Sequence, residues 1–318
     1  MIDILGRNPT IEIIDSTKLQ TAQECMRKYF YEYVLGWRSE MPNNHLYFGT
    51  CIHKAMEFLK ANDYSIENTV KAFDIFNDAY RELFTPETDG LFAPKVPDRV
   101  LPMLSEYINE YKNDKEEFEV LYTEVSGTVP IDLDRVLYFR QDTICRDLKE
   151  NRGIFSLEHK TAGKTLDDKW CRQWFMKTQT GTYTHVLYCL FPDEDIFGVV
   201  INGLGLLKTK FSFRRVPIKR DKESMRVWLW NTLYWIDQIY WNYERLEKCK
   251  EDDPVMMCFP MNTESCSDYF GCPFLDFCNS WTNPLAHCDE PPIGFKIEFW
   301  NPMAEESKHK VEKGKLVS

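Results

Sequence analysis

The strongest constraint on how this chain folds is a change of hydrophobic period near residue 117. Before it, apolar residues recur every three or four positions, which predicts helices over 19–34, 48–62, 66–84 and 103–112. Phe73, Phe76, Tyr80 and Phe84 mark the third of these. After it, segments 119–129, 135–145 and 153–159 are rich in Val, Ile, Tyr and Phe and separated by turn residues, so they read as three strands. A helix over 170–190, strands over 196–207 and 210–218 and a tryptophan-rich helix over 224–246 complete the pattern. That order predicts an α/β (α+β) core, a small mixed sheet flanked by helices. Pro86, Pro94, Pro97 and Pro102 mark a loop-rich insertion before it. Four regions follow: a helical 1–116, a core at 117–250, a cysteine-rich 251–290 and a tail at 291–318, its charged end from 305 expected to be mobile.

Composition narrows the class. The 318 residues are 43% hydrophobic and 28% charged, which excludes a disordered or collagenous chain. No apolar run reaches the roughly 18 residues of a membrane span; the best, over 197–207, is broken by Asn202 and three glycines. The N-terminus shows no secretory signal, so a cytoplasmic location is expected (host cytoplasm if phage-encoded). A net charge of −11 argues against binding nucleic acid by bulk electrostatics and leaves room for a local basic groove. No phosphate-binding loop of the helicase type is present, so any unwinding must come from a partner.

The chemistry concentrates in Asp142 and Glu158-His159-Lys160. Residues two apart on a strand share a face, so Glu158 and Lys160 project together. Gly153 lies in the connection that turns the preceding strand back, which brings Asp142 beside Glu158. Two adjacent carboxylates repel unless a cation lies between them, and a hard ion such as Mg²⁺ or Mn²⁺ suits them. Lys160 beside such an ion would orient water or stabilise charge on a phosphate. An isolated Glu-x-Lys is ordinarily a solvated ion pair, but Phe155 and Leu157 on the alternate face predict a buried strand. His53 heads an amphipathic helix, and Gln179 and Tyr183 share one helical face by their spacing.

The chain holds 11 cysteines. Cys266, Cys272 and Cys278 recur with five residues between neighbours, a spacing that fits neither a helix nor a strand core. Thiolate ligation of a metal is the better account; the Cys-x-x-Cys knuckle typical of zinc is absent, and iron–sulfur clusters tolerate varied spacing but need four thiolates. Cys51, Cys145, Cys171, Cys189 and Cys249 fall in or beside periodic segments and read as packing residues.

His53, Asp142, Glu158-His159-Lys160 and Gln179-x-x-x-Tyr183, in this order, resemble the PD-(D/E)XK nuclease superfamily. The layout is most similar to its RecB/AddB-like branch with a C-terminal iron–sulfur cluster, the phage and CRISPR-associated exonuclease type. The resemblance spans about residues 16–280 and departs from the family in lacking a glycine just before Asp142. It implies that His53, Asp142, Glu158 and the His159 carbonyl bind a catalytic Mg²⁺ or Mn²⁺. Lys160 would handle the nucleophilic water, with Gln179 and Tyr183 organising the site. It also implies that Cys25, Cys266, Cys272 and Cys278 hold a [4Fe–4S] cluster, with Cys258 competing with Cys266 as the fourth ligand. Glu124 ranks below these as a nearby acid. The function implied is a DNA exonuclease on single strands or ends in recombination or repair, with a helicase or recombination partner. The alternatives are a non-catalytic cluster-containing DNA-binding or assembly subunit, and a zinc-stabilised endonuclease on RNA or branched DNA. A basic run over 208–222, with Arg214, Arg215, Lys219 and Arg220, is ordinarily a solvated strand face. Read functionally, it is a phosphate track with Phe211 and Phe213 available for stacking, extended by Arg27, Lys28 and Tyr29.

Overall fold

The computed structural model describes residues 4–268, 271–304 and 307–317. Nine strands occur among them: β1 (Trp37–Ser39), β2 (Phe118–Pro130), β3 (Val136–Asp147), β4 (Ile154–Ala162), β5 (Ile196–Leu206), β6 (Phe211–Lys219), β7 (Phe295–Ile297), β8 (His309–Glu312) and β9 (Lys315–Val317). Seven form one mixed sheet in the order β6-β5-β4-β3-β2-β8-β9. β4 and β5 are parallel, joined through the helix Thr178–Leu190, while β3–β4 and β5–β6 are antiparallel. The chain divides into two compact units, one of residues 1–41, 130–138 and 226–304, the other of 42–129, 139–225 and 305–318.

The second unit carries the sheet. The helices Asn44–Ala61, Ile66–Arg81 and Val100–Glu110 bury Phe48, Phe76, Tyr80 and Tyr107 against Leu204 and Leu206 of β5. Ser65 caps Ile66–Arg81 by accepting from the Asn68 amide, and Asn43 caps Asn44–Ala61 in the same way through Leu46. On the other flank Trp170, Tyr183, Val199, Ile201 and Val216 pack together. Gly153 has φ 94° just before β4, and a side chain there would collide with the Asp195 carbonyl; only glycine starts this strand. The charged end differs from the mobile tail expected of it. β8 runs parallel to β2 and turns through Lys313 and Gly314 into β9. Val311, 2% exposed, anchors this hairpin, an alternation hidden in a charged sequence.

The first unit is held by aromatic side chains. Tyr31, Trp37, Phe274, Phe277 and Trp281 pack in stacked and edge-on pairs, and β1 pairs antiparallel with β7. The expected helix 19–34 is broken: Ser16–Glu24, capped by Asp15, ends at Cys25, which has extended backbone, and a second segment starts at Met26. The helix expected over 170–190 is likewise two, Asp168–Arg172 and Thr178–Leu190. No helix among the described residues is long and apolar enough to cross a membrane.

Candidate active site

The β3–β4 ladder ends its regular pairing at Thr143–Leu157, and Asp142 and Glu158 follow one rung later. There, side chains take over from backbone pairing. The His159 amide donates to Asp142 Oδ2 at 2.8 Å, and His53 on the helix Asn44–Ala61 spans the junction. Its Nδ1 lies 3.1 Å from Asp142 Oδ1 and its Nε2 2.9 Å from the His159 carbonyl. Lys160 Nζ donates to Glu158 Oε1 at 2.6 Å, while Glu158 Oε2 is buried without a hydrogen-bond partner. His53, Asp142, Glu158, His159 and Lys160 are thus brought together as the sequence pattern anticipates.

The electrostatics follow from two carboxylates in a buried place. Glu158 is 2% exposed; burial, then repulsion from Asp142, lifts its carboxyl to about 7. Burial works the same way on Asp142, but the His53 ring outweighs it and holds that carboxyl well below the usual range. Burial opposes the charge on His53 too; Asp142 overrides it and keeps the ring protonated to about 9. With both nitrogens facing oxygen acceptors, the imidazolium donates to both. As a metal ligand it would give up one proton and one of these contacts.

As the side chains stand, no group of three or more His, Cys, Asp or Glu among the described residues is gathered to hold a metal ion. His53 and the His159 amide occupy Asp142, and Lys160 occupies one oxygen of Glu158. The donor set nonetheless fits a hard divalent ion, because two carboxylates, an imidazole and a carbonyl adjoin and one carboxylate oxygen is unspent.

Gln179 Nε2 donates to the Tyr183 hydroxyl at 2.9 Å, so the helical pair forms. Lys160 lies 5.7 Å from the centre of the Trp174 ring, and Trp170 fills the space left by Gly203, the register partner of Lys160 on β5. Glu124 pairs with Arg140 at 2.8 Å; burial and then the Asp142 charge raise its carboxyl pKa. Its φ of 49° costs about 1–2 kcal/mol in a non-glycine residue. Asn202, buried on β5, contacts the His159 ring and was not among the residues singled out as functional; its signal was the polar interruption of an apolar strand.

The basic segment divides residue by residue and not by strand face. Arg214 and Lys219 are exposed, and Arg214 pairs with the exposed Asp168. Arg215 differs from the phosphate track expected of it: its guanidinium turns inward, 2.7 Å from Asp114 and 3.8 Å over the Tyr111 ring. Arg220 is also buried, donating to the Phe175 carbonyl at 2.7 Å. Phe211 and Phe213 pack against the helical core, Arg27 is buried on the Phe259 carbonyl, and Tyr29 is buried on the Tyr243 hydroxyl. Neighbours inside the fold use up these groups.

In the first unit all the cysteines are free thiols. Burial raises the pKa of the Cys272 thiol, with Cys25 and Cys266 adding to it; Cys278, pushed up to about 11 by burial, responds to Cys25 and Cys272. Cys272 is thus within electrostatic reach of Cys25 and Cys266, and Cys278 within reach of Cys25 and Cys272. Cys258 instead places its sulfur 3.7 Å from that of Cys249.

The family model described as the PD-(D/E)XK nuclease superfamily matches residues 16–220. No curated protein matches. A solved chain described as "Crystal structure of SSO0001" aligns over 72% of this chain and 89% of its own, at 15% identity and a TM-score of 0.25, a likeness that carries no argument.

Proposed function

The chain belongs to the PD-(D/E)XK nuclease superfamily, and from that premise we propose that it is a Mg²⁺- or Mn²⁺-dependent deoxyribonuclease, an exonuclease on single strands or DNA ends. Asp142, Glu158, His53 and the His159 carbonyl would hold the ion. When bound, the ion supplies Lewis-acid polarisation of the scissile phosphate and acidifies a water. Lys160, beside Glu158, orients that water and offsets charge developing on the phosphate. Gln179 and Tyr183 brace the same site through their mutual hydrogen bond. Arg214 and Lys219, with the exposed Lys208, Lys210 and Lys222, would follow the DNA backbone, with a helicase supplying any unwinding.

The observation that carries this reading is Glu158 Oε2, a buried carboxylate oxygen without a partner beside a second carboxylate, an arrangement that a divalent cation would complete. The deciding experiment is cleavage of single-stranded and end-labelled duplex DNA with Mg²⁺ or Mn²⁺, comparing the native chain with Glu158→Gln. Cleavage that survives the substitution, or needs no divalent ion, would remove the assignment.

The same proposal includes a [4Fe–4S] cluster held by Cys25, Cys266, Cys272 and Cys278. The reach of Cys272 to Cys25 and Cys266, and of Cys278 to Cys25 and Cys272, supports that set, and the closeness of Cys258 to Cys249 favours Cys266 over Cys258. Iron and acid-labile sulfide analysis of anaerobically purified protein tests it, since a zinc-containing, colourless preparation would exclude the cluster.

A further inference from the structure

Buried strand β5 carries one polar side chain where its neighbours are apolar. Asn202, 0% exposed, is the direct register partner of His159 on β4. Its Nδ2 lies 2.8 Å from His159 Nδ1 and 2.9 Å from the Tyr107 hydroxyl, donating to both. The ring is 1% exposed, and because the Asn202 amide donates to Nδ1, its proton sits on Nε2. Behind Asn202 the polar contacts continue. Tyr107 meets the Arg215 guanidinium at 3.5 Å, Arg215 binds Asp114 at 2.7 Å, and Lys60 and Tyr64 hold the same carboxylate oxygen at 2.6 and 2.7 Å.

This arrangement is a poor way to stabilise a core. Asn202 Oδ1 and His159 Nε2 are both buried without hydrogen-bond partners. Unsatisfied buried groups cost free energy, whereas an apolar pair of the same shape would be neutral or better. The His159 peptide shows what the pair can do instead. Its amide holds Asp142, its carbonyl receives His53, and regular β3 pairing has already ended. On the β3 side, site side chains hold this peptide. On the other side β4 pairs with β5, and from β5 Asn202 grips the ring, which also meets the His53 ring edge-on.

We propose that Asn202 is a positioning residue of the nuclease site: by fixing the His159 ring from across the sheet, it sets the peptide that places Asp142 and His53. The proposal rests on the nuclease reading above. Supporting groups of this kind typically change metal affinity or activity by about 10–100-fold when removed.

The test compares Asn202→Leu, His159→Leu, their double variant and Tyr107→Phe. The readouts are Mn²⁺ affinity of DNA-free protein by electron paramagnetic resonance, the split between kcat and KM, and the melting temperature. Asn202→Leu should weaken Mn²⁺ binding about tenfold or more and lower kcat, with KM for DNA nearly unchanged. The double variant should melt no lower than the native chain yet keep the weakened Mn²⁺ binding, with the two losses not adding. Native Mn²⁺ affinity in folded Asn202→Leu or in the double variant would overturn the proposal. If neither folds, Tyr107→Phe decides: a loss of Mn²⁺ affinity supports the proposal, and an unchanged affinity overturns it. A native chain that neither binds Mn²⁺ nor cuts DNA would instead defeat the nuclease reading, and this inference with it.

Discussion

Arg214 and Arg215 are adjacent in sequence, and replacing each in turn should give opposite results. Arg215 is 18% exposed at its side chain, and it shares Asp114 with Lys60. Arg215→Met keeps much of the packed stem and removes the charge. Deleting one partner of a buried ion pair ordinarily costs about 3–5 kcal/mol; Lys60 stays on the carboxylate here, which places the loss near the lower end. The guanidinium over Tyr111 adds about 1 kcal/mol. A total of about 3–4 kcal/mol corresponds to a fall of about 4–6 °C in melting temperature for a chain of 318 residues. The pH dependence follows. Burial tends to raise the Asp114 carboxyl, but Arg215 and Lys60 depress it below its ordinary value. A depressed carboxylate contributes stability that is present above its unfolded pKa of about 3.9 and lost as pH falls through the folded value. Arg215→Met weakens that depression, so acid unfolding should begin at higher pH. Arg214, 45% exposed beside an exposed Asp168, should change stability by no more than about 0.5 kcal/mol on Arg214→Ala. Its loss should instead lower the salt slope of DNA binding by about one. Circular dichroism melts from pH 3 to 7 and salt-dependent DNA titrations read both variants. A reduced slope with unchanged melting for Arg215→Met would refute the assignment of Arg215 to the interior and Arg214 to the surface.

Lys160→Ala should slow cleavage by about 10²–10⁴-fold while DNA affinity stays within a few-fold, because the ammonium sits on Glu158; single-turnover assays beside filter binding check this. Cys272→Ala and Cys278→Ala should each lose colour, iron and thermal stability together, whereas Cys258→Ala should keep its iron; absorbance and iron analysis separate the two outcomes. Phe76→Ala, at a fully buried ring packed edge-on against Phe48, should cost about 3–5 kcal/mol by leaving a cavity, visible as a lower denaturation midpoint.

The order of elements and the grouping of Asp142, Glu158 and Lys160 were legible in the sequence because both depend on local periodicity. Alternation along β4 places Glu158 and Lys160 together whatever else the chain does, and Gly153 can only begin that strand by turning. Alternation also puts Arg214 and Arg215 on opposite faces of β6, but both faces are packed, so it does not say which guanidinium is drawn inward. That depends on Asp114, 101 residues away, whose carboxylate makes an inward guanidinium affordable. Charge hid the hairpin at 309–317 for a related reason: Val311 needs the free edge of β2 to gain anything by burial, and that edge exists only after the sheet has formed. The break at Cys25 was also invisible, since the flanking residues favour helix on either side. Asn202 is the sharpest case. In the sequence it only interrupts an apolar run, and its meaning comes from the parallel register that sets it opposite His159. Local period and turn chemistry determine which side chains share a face. Which face meets a neighbour, and so whether a polar group there is solvated, paired or left to hold a site, is decided only when distant strands come into register.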